Sequence, residues 1–312
     1  MNERADWPEL PYADWAGTRY TLHMVAQMLG KAKLALAPPQ PEWMHARLLL
    51  DPRGFTTGSM PHGSRTLSML LDVVDGAVRV AASDGRTAAV TLGPGRSVAD
   101  IWAEFLGALT GLGVQLDLWD KPQEVADPTP FSRDTRERVV VLEHAQRFHR
   151  VLCSVSGVFE EYRSRFFGRS GIQFWWGAFD LALLLFNGRA AKAPEDRGYI
   201  MRYDLDAEHL NAGFWAGDDG AAPGIYGYIV PRPPGCETVP IAPRYAGWVE
   251  EMGEWFMPYE EVRTCPDPRA AILDFLEAVY GVATSLGGWK AAAHEYVRPP
   301  APPRGSGRAE AG

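Results

Sequence analysis

The chain has 312 residues, about twice the size of a common single domain, which predicts two packed units or one large one. It carries 31 Lys and Arg against 39 Asp and Glu, a net charge of −8, with 46% hydrophobic residues. That apolar content excludes a wholly disordered chain, and the acidic balance argues against a general nucleic-acid binder or a polybasic membrane-surface protein. The three cysteines, Cys153, Cys236 and Cys265, show no CxxC spacing and suggest neither a disulfide framework nor a zinc knuckle, so a reducing, cytoplasmic location is expected. The N-terminus has the acids and prolines of a non-secretory start, and the most apolar run, Ile172 to Phe186, is too short to cross a bilayer.

In chain order, Trp7-Pro8-Glu9-Leu10-Pro11-Tyr12 is too rich in proline for a helix and predicts an extended strap docked by its aromatic side chains. From Thr18, Leu22, Val25, Ala26 and Leu29 follow helical spacing, with Gly30 as the stop. Lys33 to Leu36 and Trp43 to Leu50 flank a proline-rich turn and predict a strand pair. Thr66 to Val74, Ala77 to Ala82 and Thr87 to Leu92, separated by Asp75-Gly76 and Asp84-Gly85-Arg86, predict an antiparallel meander. Ser97 caps a helix burying Ile101, Trp102, Phe105 and Leu109, which ends near Gly111 to Gly113, and Val114 to Trp119 reads as a further strand. The proline-containing stretch Asp120 to Asp134 has neither period and marks a boundary. Beyond it the pattern predicts a long helix over Glu143 to Phe167 and strands at Ile172 to Trp176, Phe179 to Phe186, Gly224 to Pro231 and Trp248 to Phe256. A last helix is expected over Pro268 to Leu286.

These elements give an α+β fold of two helix–antiparallel sheet–helix units, residues 1–120 and 138–297, with 121–137 as connecting segment and 298–312 as a disordered Pro/Gly-rich tail. An internal duplication would explain rough matches of Gly30-Lys31, Trp43, Leu48-Leu49-Leu50 and Arg53-Gly54 to Gly168-Arg169, Trp175, Leu183-Leu184-Leu185 and Gly188-Arg189. Chance recurrence of a common element order is the alternative.

No motif identifies an activity: the Walker loop, the Gly-x-Ser-x-Gly elbow and the dinucleotide fingerprint are all missing. Eleven Trp, 11 Tyr and 13 Phe serve either core packing or an aromatic-lined cleft. His23, Gln27 and Lys31 fall at i, i+4 and i+8, one polar stripe that either lines a cleft or is a solvated helix face. His45 is expected on the same side as Trp43 of one strand; with His23 and His62 it offers three nitrogens, but the spacing does not argue for a metal and none is expected. Arg53, Thr56 and Thr57 belong to a Gly- and hydroxyl-rich loop suited to cradling a carboxylate or phosphate, or to plain connection. Asp180 interrupts the most apolar run, so it is paired, hydrogen-bonded or neutralised, as a buried ion pair or as an acid with raised pKa. His209 and Tyr259 add acid–base material in the second half.

Trp7-Pro8-Glu9-Leu10-Pro11-Tyr12, Thr21-Leu22-His23, Gly30-Lys31, Arg53-Gly54-Phe55-Thr56-Thr57, Phe174-Trp175-Trp176-Gly177-Ala178-Phe179-Asp180, Gly213-Phe214-Trp215 and Pro258-Tyr259 together resemble a bacterial family, domain of unknown function 5996, over nearly the whole chain. The resemblance implies no activity or cofactor. Gln173 stands where it leads one to expect histidine, and His62 where it leads one to expect an aromatic residue.

The expectation is a cytosolic protein that binds a small anionic or aromatic molecule in a polar cleft walled by aromatic side chains, without a cofactor, nucleic acid or membrane. Lys31, Trp43, His45, Arg53, Thr56, Thr57, Trp215 and Tyr259 are its candidate ligand-binding residues. The alternatives are an enzyme, with His23, His209 or Asp180 as catalytic candidates and Arg53 as anion clamp, or an interaction module that docks a partner on exposed tryptophans. Sequence fixes neither the ligand nor the oligomeric state.

Overall fold

The computed structural model describes residues 6–193, 195 and 199–295. Helix α1, Tyr12–Leu36, leads into an antiparallel sheet of β1 (Leu49–Asp51), β2 (Gly54–Thr56), β3 (Met60–His62), β4 (Arg65–Asp72), β5 (Ala77–Ala82) and β6 (Thr87–Thr91). Its order is β1-β2-β4-β5-β6, with β3 also paired to β4. The short strand β7 (Arg96–Ser97) opens α2 (Val98–Gly111), and β8 (Glu137–Arg138) pairs with β7. Ser97 Oγ accepts from the Asp100 N–H while Asp100 Oδ2 accepts from the Ser97 N–H, a capping box that satisfies two otherwise unpaired donors at the start of α2.

The second half runs α3 (Leu142–Arg163), β9 (Ser170–Trp175), β10 (Asp180–Ala190), α4 (Tyr199–Asp204), β11 (Ala207–Trp215), β12 (Gly224–Val230), β13 (Gly247–Val249), β14 (Glu254–Pro258), α5 (Tyr259–Thr264), α6 (Pro268–Ser285) and α7 (Ala291–His294). Its strands form one antiparallel sheet in the order β13-β14-β12-β11-β10-β9. The fold is α+β, each half ordered helix, antiparallel strands, helix.

Strand alternation gives this second sheet two different faces. Leu181, Leu183, Leu210, Phe214, Ile225 and Ile229 are buried on the face that packs against α3 and α6. The opposite face carries Asp180, Asn211, Tyr226, Tyr228 and Glu254, and an open space lies above it.

The two halves share one continuous hydrophobic core. Leu48 and Phe174 exchange both backbone hydrogen bonds across the junction of the sheets, at 3.0 and 2.9 Å. Phe55 of β2 packs 4.3 Å from Phe174 of β9, and Phe148 of α3 stacks 5.3 Å from Phe179. The stretch Asp120 to Asp134, expected as a boundary, folds into this core: Phe131 is fully buried beside Trp102, and the Tyr20 hydroxyl donates to Asp134. The N-terminal strap docks as expected, with Trp7 and Leu10 buried and the Tyr259 hydroxyl donating to the Pro8 carbonyl at 2.8 Å.

Several expectations need correction. Helix α1 does not stop at Gly30 but runs on through Lys33 to Leu36, good helix formers that end ahead of Pro38 and Pro39. The strand expected over Trp43 to Leu50 forms only at its end, where Leu49 and Leu50 enter β1; its start is taken by a 3-10 turn at Pro41–Trp43, because Glu42 and Trp43 take φ of 49° and 53°, which no strand accommodates. Val114 to Trp119 forms no strand; the Val114 N–H turns back to the Leu109 carbonyl at the end of α2. Trp248 to Phe256 is a hairpin of β13 and β14 rather than one strand. Strand β11 went unread, although Leu210, Ala212 and Phe214 alternate on its helix-facing side. Gly30-Lys31 sits inside a helix and Gly168-Arg169 in a turn, while Trp43 is in a turn and Trp175 in a strand, so these matches occupy non-equivalent places. The tail 298–312 lies outside the described residues.

Candidate functional site

The space above the second sheet is a cavity of about 450 Å3. Its floor follows from strand register: Asp180 lies opposite Trp215 and Trp175, Asn211 opposite Leu184 and Tyr228, and Gly213 opposite Tyr226. A Cβ on Gly213 would come within 2.3 Å of the Tyr226 hydroxyl, so glycine at that position leaves room for Tyr226 to lie across β11 and donate to Asp180 Oδ2. The walls come from outside the sheet: Trp43 at the end of the 3-10 turn, Glu124 in the connecting segment, the Trp176-Gly177-Ala178 turn between β9 and β10, and Ile200, Met201 and Asp204 of α4. Trp43 is held by its indole N–H, which donates to the Ile200 carbonyl at 2.9 Å, and by the His45 ring stacked 5.7 Å away.

Helix α1 holds two of these walls from behind. The His23 Nε2–H points between the Trp176 and Gly177 carbonyls, at 3.0 and 2.8 Å, which sets the tautomer with Nε2 protonated. Gln27 clamps the backbone of Gln123 in both directions: its Nε2 donates to the Gln123 carbonyl at 2.7 Å and its Oε1 accepts from the Gln123 N–H at 2.8 Å. A Cβ on Gly30 would fall 2.2 Å from the Trp176 ring, so only glycine seats that indole against the helix, where its N–H donates to the Ala46 carbonyl at 2.9 Å. The i, i+4 stripe read from sequence is therefore turned inward, supporting the cavity wall rather than lining the cavity. Gln27→Leu removes both clamp partners and is expected to cost about 1–3 kcal/mol in urea unfolding; an unchanged midpoint would contradict the clamp.

The cavity is acidic. Glu124, Asp180, Asp204 and Glu254 line it, and among the described residues no Lys, Arg or His does. Burial pushes the Asp180 carboxyl up to about 7, opposed by the Tyr226 hydrogen bond and reinforced by the charge of Glu124. Glu254 is also raised to about 7, by burial and then by the charge of Asp180, and Asp204 to about 6, by burial and then by Glu124. The protein packed around Glu124 raises its carboxyl too. Among the described residues Asp180 Oδ1 and Asn211 Oδ1 have no hydrogen-bond partner, although both side chains are more than nine-tenths buried.

Of the residues singled out in the sequence, Trp43, Asp180 and Trp215 line the cavity. His45 supports Trp43 from behind, and its Nδ1 accepts from the Gln40 N–H at 3.0 Å. Lys31 sits over the Trp119 ring at 4.8 Å and 5.8 Å from Trp176. Burial holds it down at about 8. Arg53 forms no anion cradle: its guanidinium is taken up by Asp72 at 2.8 Å and Asp75 at 2.7 Å. Thr56 and Thr57 spend their hydroxyls on the Met69 and Gly58 carbonyls. Tyr259 docks the N-terminal strap. His209 is buried with Nδ1 2.8 Å from the Ala207 carbonyl, and burial depresses both His23 and His209 to about 4, so neither is charged at neutral pH. His62 is half-buried at the end of β3, its Nε2 3.4 Å from the Gly113 carbonyl, and Gln173 is fully buried. Among the described residues no group of three or more His, Cys, Asp or Glu is placed to hold a metal ion, and no helix is long and apolar enough to cross a membrane. Missed from sequence were Glu124, Asp204, Asn211, Tyr226, Tyr228 and Glu254; only the alternation of β12, polar Tyr226 and Tyr228 against apolar Ile225 and Ile229, signalled any of them.

The profile of a family of unknown function, DUF5996, matches residues 7–296. The chain belongs to this family. The match covers every element from the strap through α7. No curated protein and no solved structure matches the chain.

Proposed function

We propose that this DUF5996 protein binds a small organic molecule in the cavity above its second sheet, in a reducing, cytosolic compartment. The observation that carries the reading is where the backbone is strained. Glu42, Trp43, Glu124 and Phe179 are the non-glycine residues with left-handed φ among the described ones, at 49°, 53°, 54° and 61°. Trp43 and Glu124 line the cavity, Glu42 adjoins Trp43, and Phe179 lies between the lining residues Ala178 and Asp180. Such conformations cost about 1–3 kcal/mol each and persist where a fold holds side chains for a task. The aromatic walls and the polar groups converging on the floor are the usual make-up of a ligand pocket, and the volume lies within the usual range.

The lining supports the aromatic half of the sequence expectation, and its described residues present no basic side chain to an anion. The three free thiols, Cys153, Cys236 and Cys265, support the reducing compartment. Ala178 is exposed at the mouth, so Ala178→Trp is expected to close the entrance with little effect on stability. In a thermal-shift screen of metabolites, ligands that raise the melting temperature of the parent are expected to lose at least half of that shift in Ala178→Trp. Hits that stabilise both proteins equally would place binding elsewhere.

A further inference from the structure

Resting on the ligand-binding reading above, we propose that the ligand is an organic cation: a protonated amine or guanidine on a flat apolar body, with its charged head against Asp180 and its body between the tryptophans.

Three independent features of the cavity point the same way. The first is charge: four carboxyl groups arrive from four separate elements, Glu124 from the connecting segment, Asp180 from β10, Asp204 from α4 and Glu254 from β14, with no basic side chain among the described lining residues. Desolvated like charges repel, and a cation relieves that repulsion where a neutral ligand leaves it and an anion adds to it. The second is hydrogen-bonding polarity. The floor atoms left without partners, Asp180 Oδ1 and Asn211 Oδ1, are both acceptors. Their companion atoms are already committed: Asp180 Oδ2 accepts from Tyr226, and Asn211 Nδ2 donates to the Tyr228 hydroxyl at 2.7 Å. The site therefore calls for a donor, and an ammonium or guanidinium supplies several donors and no acceptor. The third is the walls. Trp43, Trp175, Trp176 and Trp215 surround the carboxyl groups, and indole faces attract a cation while covering an apolar body.

This arrangement makes binding depend on pH. Facing Asp180 are Glu254, Glu124 and Asp204, with Tyr226 and Tyr228 of β12 uncharged; Trp175, Trp215 and Asn211 on the neighbouring strands carry no charge. Asp180 and Glu254 ionise near pH 7 and Asp204 near pH 6. Between pH 5.5 and pH 8 the cavity gains negative charge, and an amine that stays protonated over that range binds more tightly at the higher pH.

The test titrates matched ligands that differ in head group into the full chain by calorimetry: tryptamine, tryptophol and indoleacetate, and phenethylamine, phenylethanol and phenylacetate. At pH 8 the amines are expected to bind about tenfold or more tightly than their alcohols and the acids not to bind. Asp180→Asn, and Glu254→Gln as a second variant, are expected to weaken the amines about tenfold and the alcohols by clearly less, so that the preference for the amine shrinks. The amines are expected to weaken about tenfold on going to pH 5.5. Alcohols or acids that match or exceed the amines, with binding lost in Ala178→Trp, would overturn the cation assignment and leave the cavity reading standing. No binding by any of the six would overturn both.

Discussion

Asp180→Asn is expected to make the unliganded protein more stable at pH 8, by as much as about 4 kcal/mol, and to leave stability at pH 4 unchanged. Asp180 is fully buried, and its carboxyl is raised to about 7 from an ordinary value of 3.8. The native state therefore keeps a proton that the unfolded chain releases between those values. Stability contributed by the neutral acid is complete below the unfolded value and is lost as pH rises towards 7. Asparagine keeps the shape and the acceptor for the Tyr226 hydroxyl without ever ionising. Urea unfolding at pH 8, 6 and 4 checks the expectation. A variant less stable than the parent at pH 8 would mean that the ionised carboxylate is well solvated or paired, and the acidic cavity would lose its physical basis.

Gly30→Ala is expected to destabilise by about 1–3 kcal/mol, opposite in sign to the usual gain of roughly 0.5–1 kcal/mol for glycine to alanine inside a helix. The added methyl would overlap the Trp176 ring at 2.2 Å and push the indole off the helix, breaking its hydrogen bond to the Ala46 carbonyl. Trp176 also lines the cavity, so ligand affinity should fall together with stability. Chemical denaturation, with near-ultraviolet circular dichroism for the indole environment, reads both effects. A neutral or stabilising result would show that the ring can move aside freely.

The regular elements were legible where one pattern dominated. Ser97 with the apolar spacing of α2, the Asp-Gly turns between β4, β5 and β6, and the long periods of α3 and α6 each point to one local structure, and the chain adopts it. The misreadings lie where a tertiary contact overrides a local signal. Gly30 looks like a stop because glycine so often ends helices, yet here its missing Cβ serves a tryptophan 146 positions downstream. Trp43 and His45 look like alternate residues of a strand, but left-handed backbone at Glu42 and Trp43 turns them into a stacked pair. Within the cavity, Asp180 was legible because a carboxylate inside an apolar run demands an explanation, Trp43 through its pairing with His45, and Trp215 only through the segment Gly213-Phe214-Trp215 that carries the family resemblance. Glu124, Asp204 and Glu254 were not, since each sits in an ordinary polar context and meets the others only through the register of the sheet and the path of the connecting segment. Arg53 shows the converse: a loop rich in Gly, Thr and Arg reads as an anion cradle until Asp72 and Asp75 are seen to occupy the guanidinium.

Helix α1 leaves the site with little to arrange when a guest arrives. Because His23 and Gln27 fix two adjoining wall segments, the Trp176-Gly177 turn and the Gln123-Glu124 stretch, to a single buried rod, that side of the enclosure is set without the guest's help, and association forfeits less conformational entropy than a pocket built from free loops. One helix, which reaches the cavity itself only at Leu34, thus sets the position of that wall before anything binds.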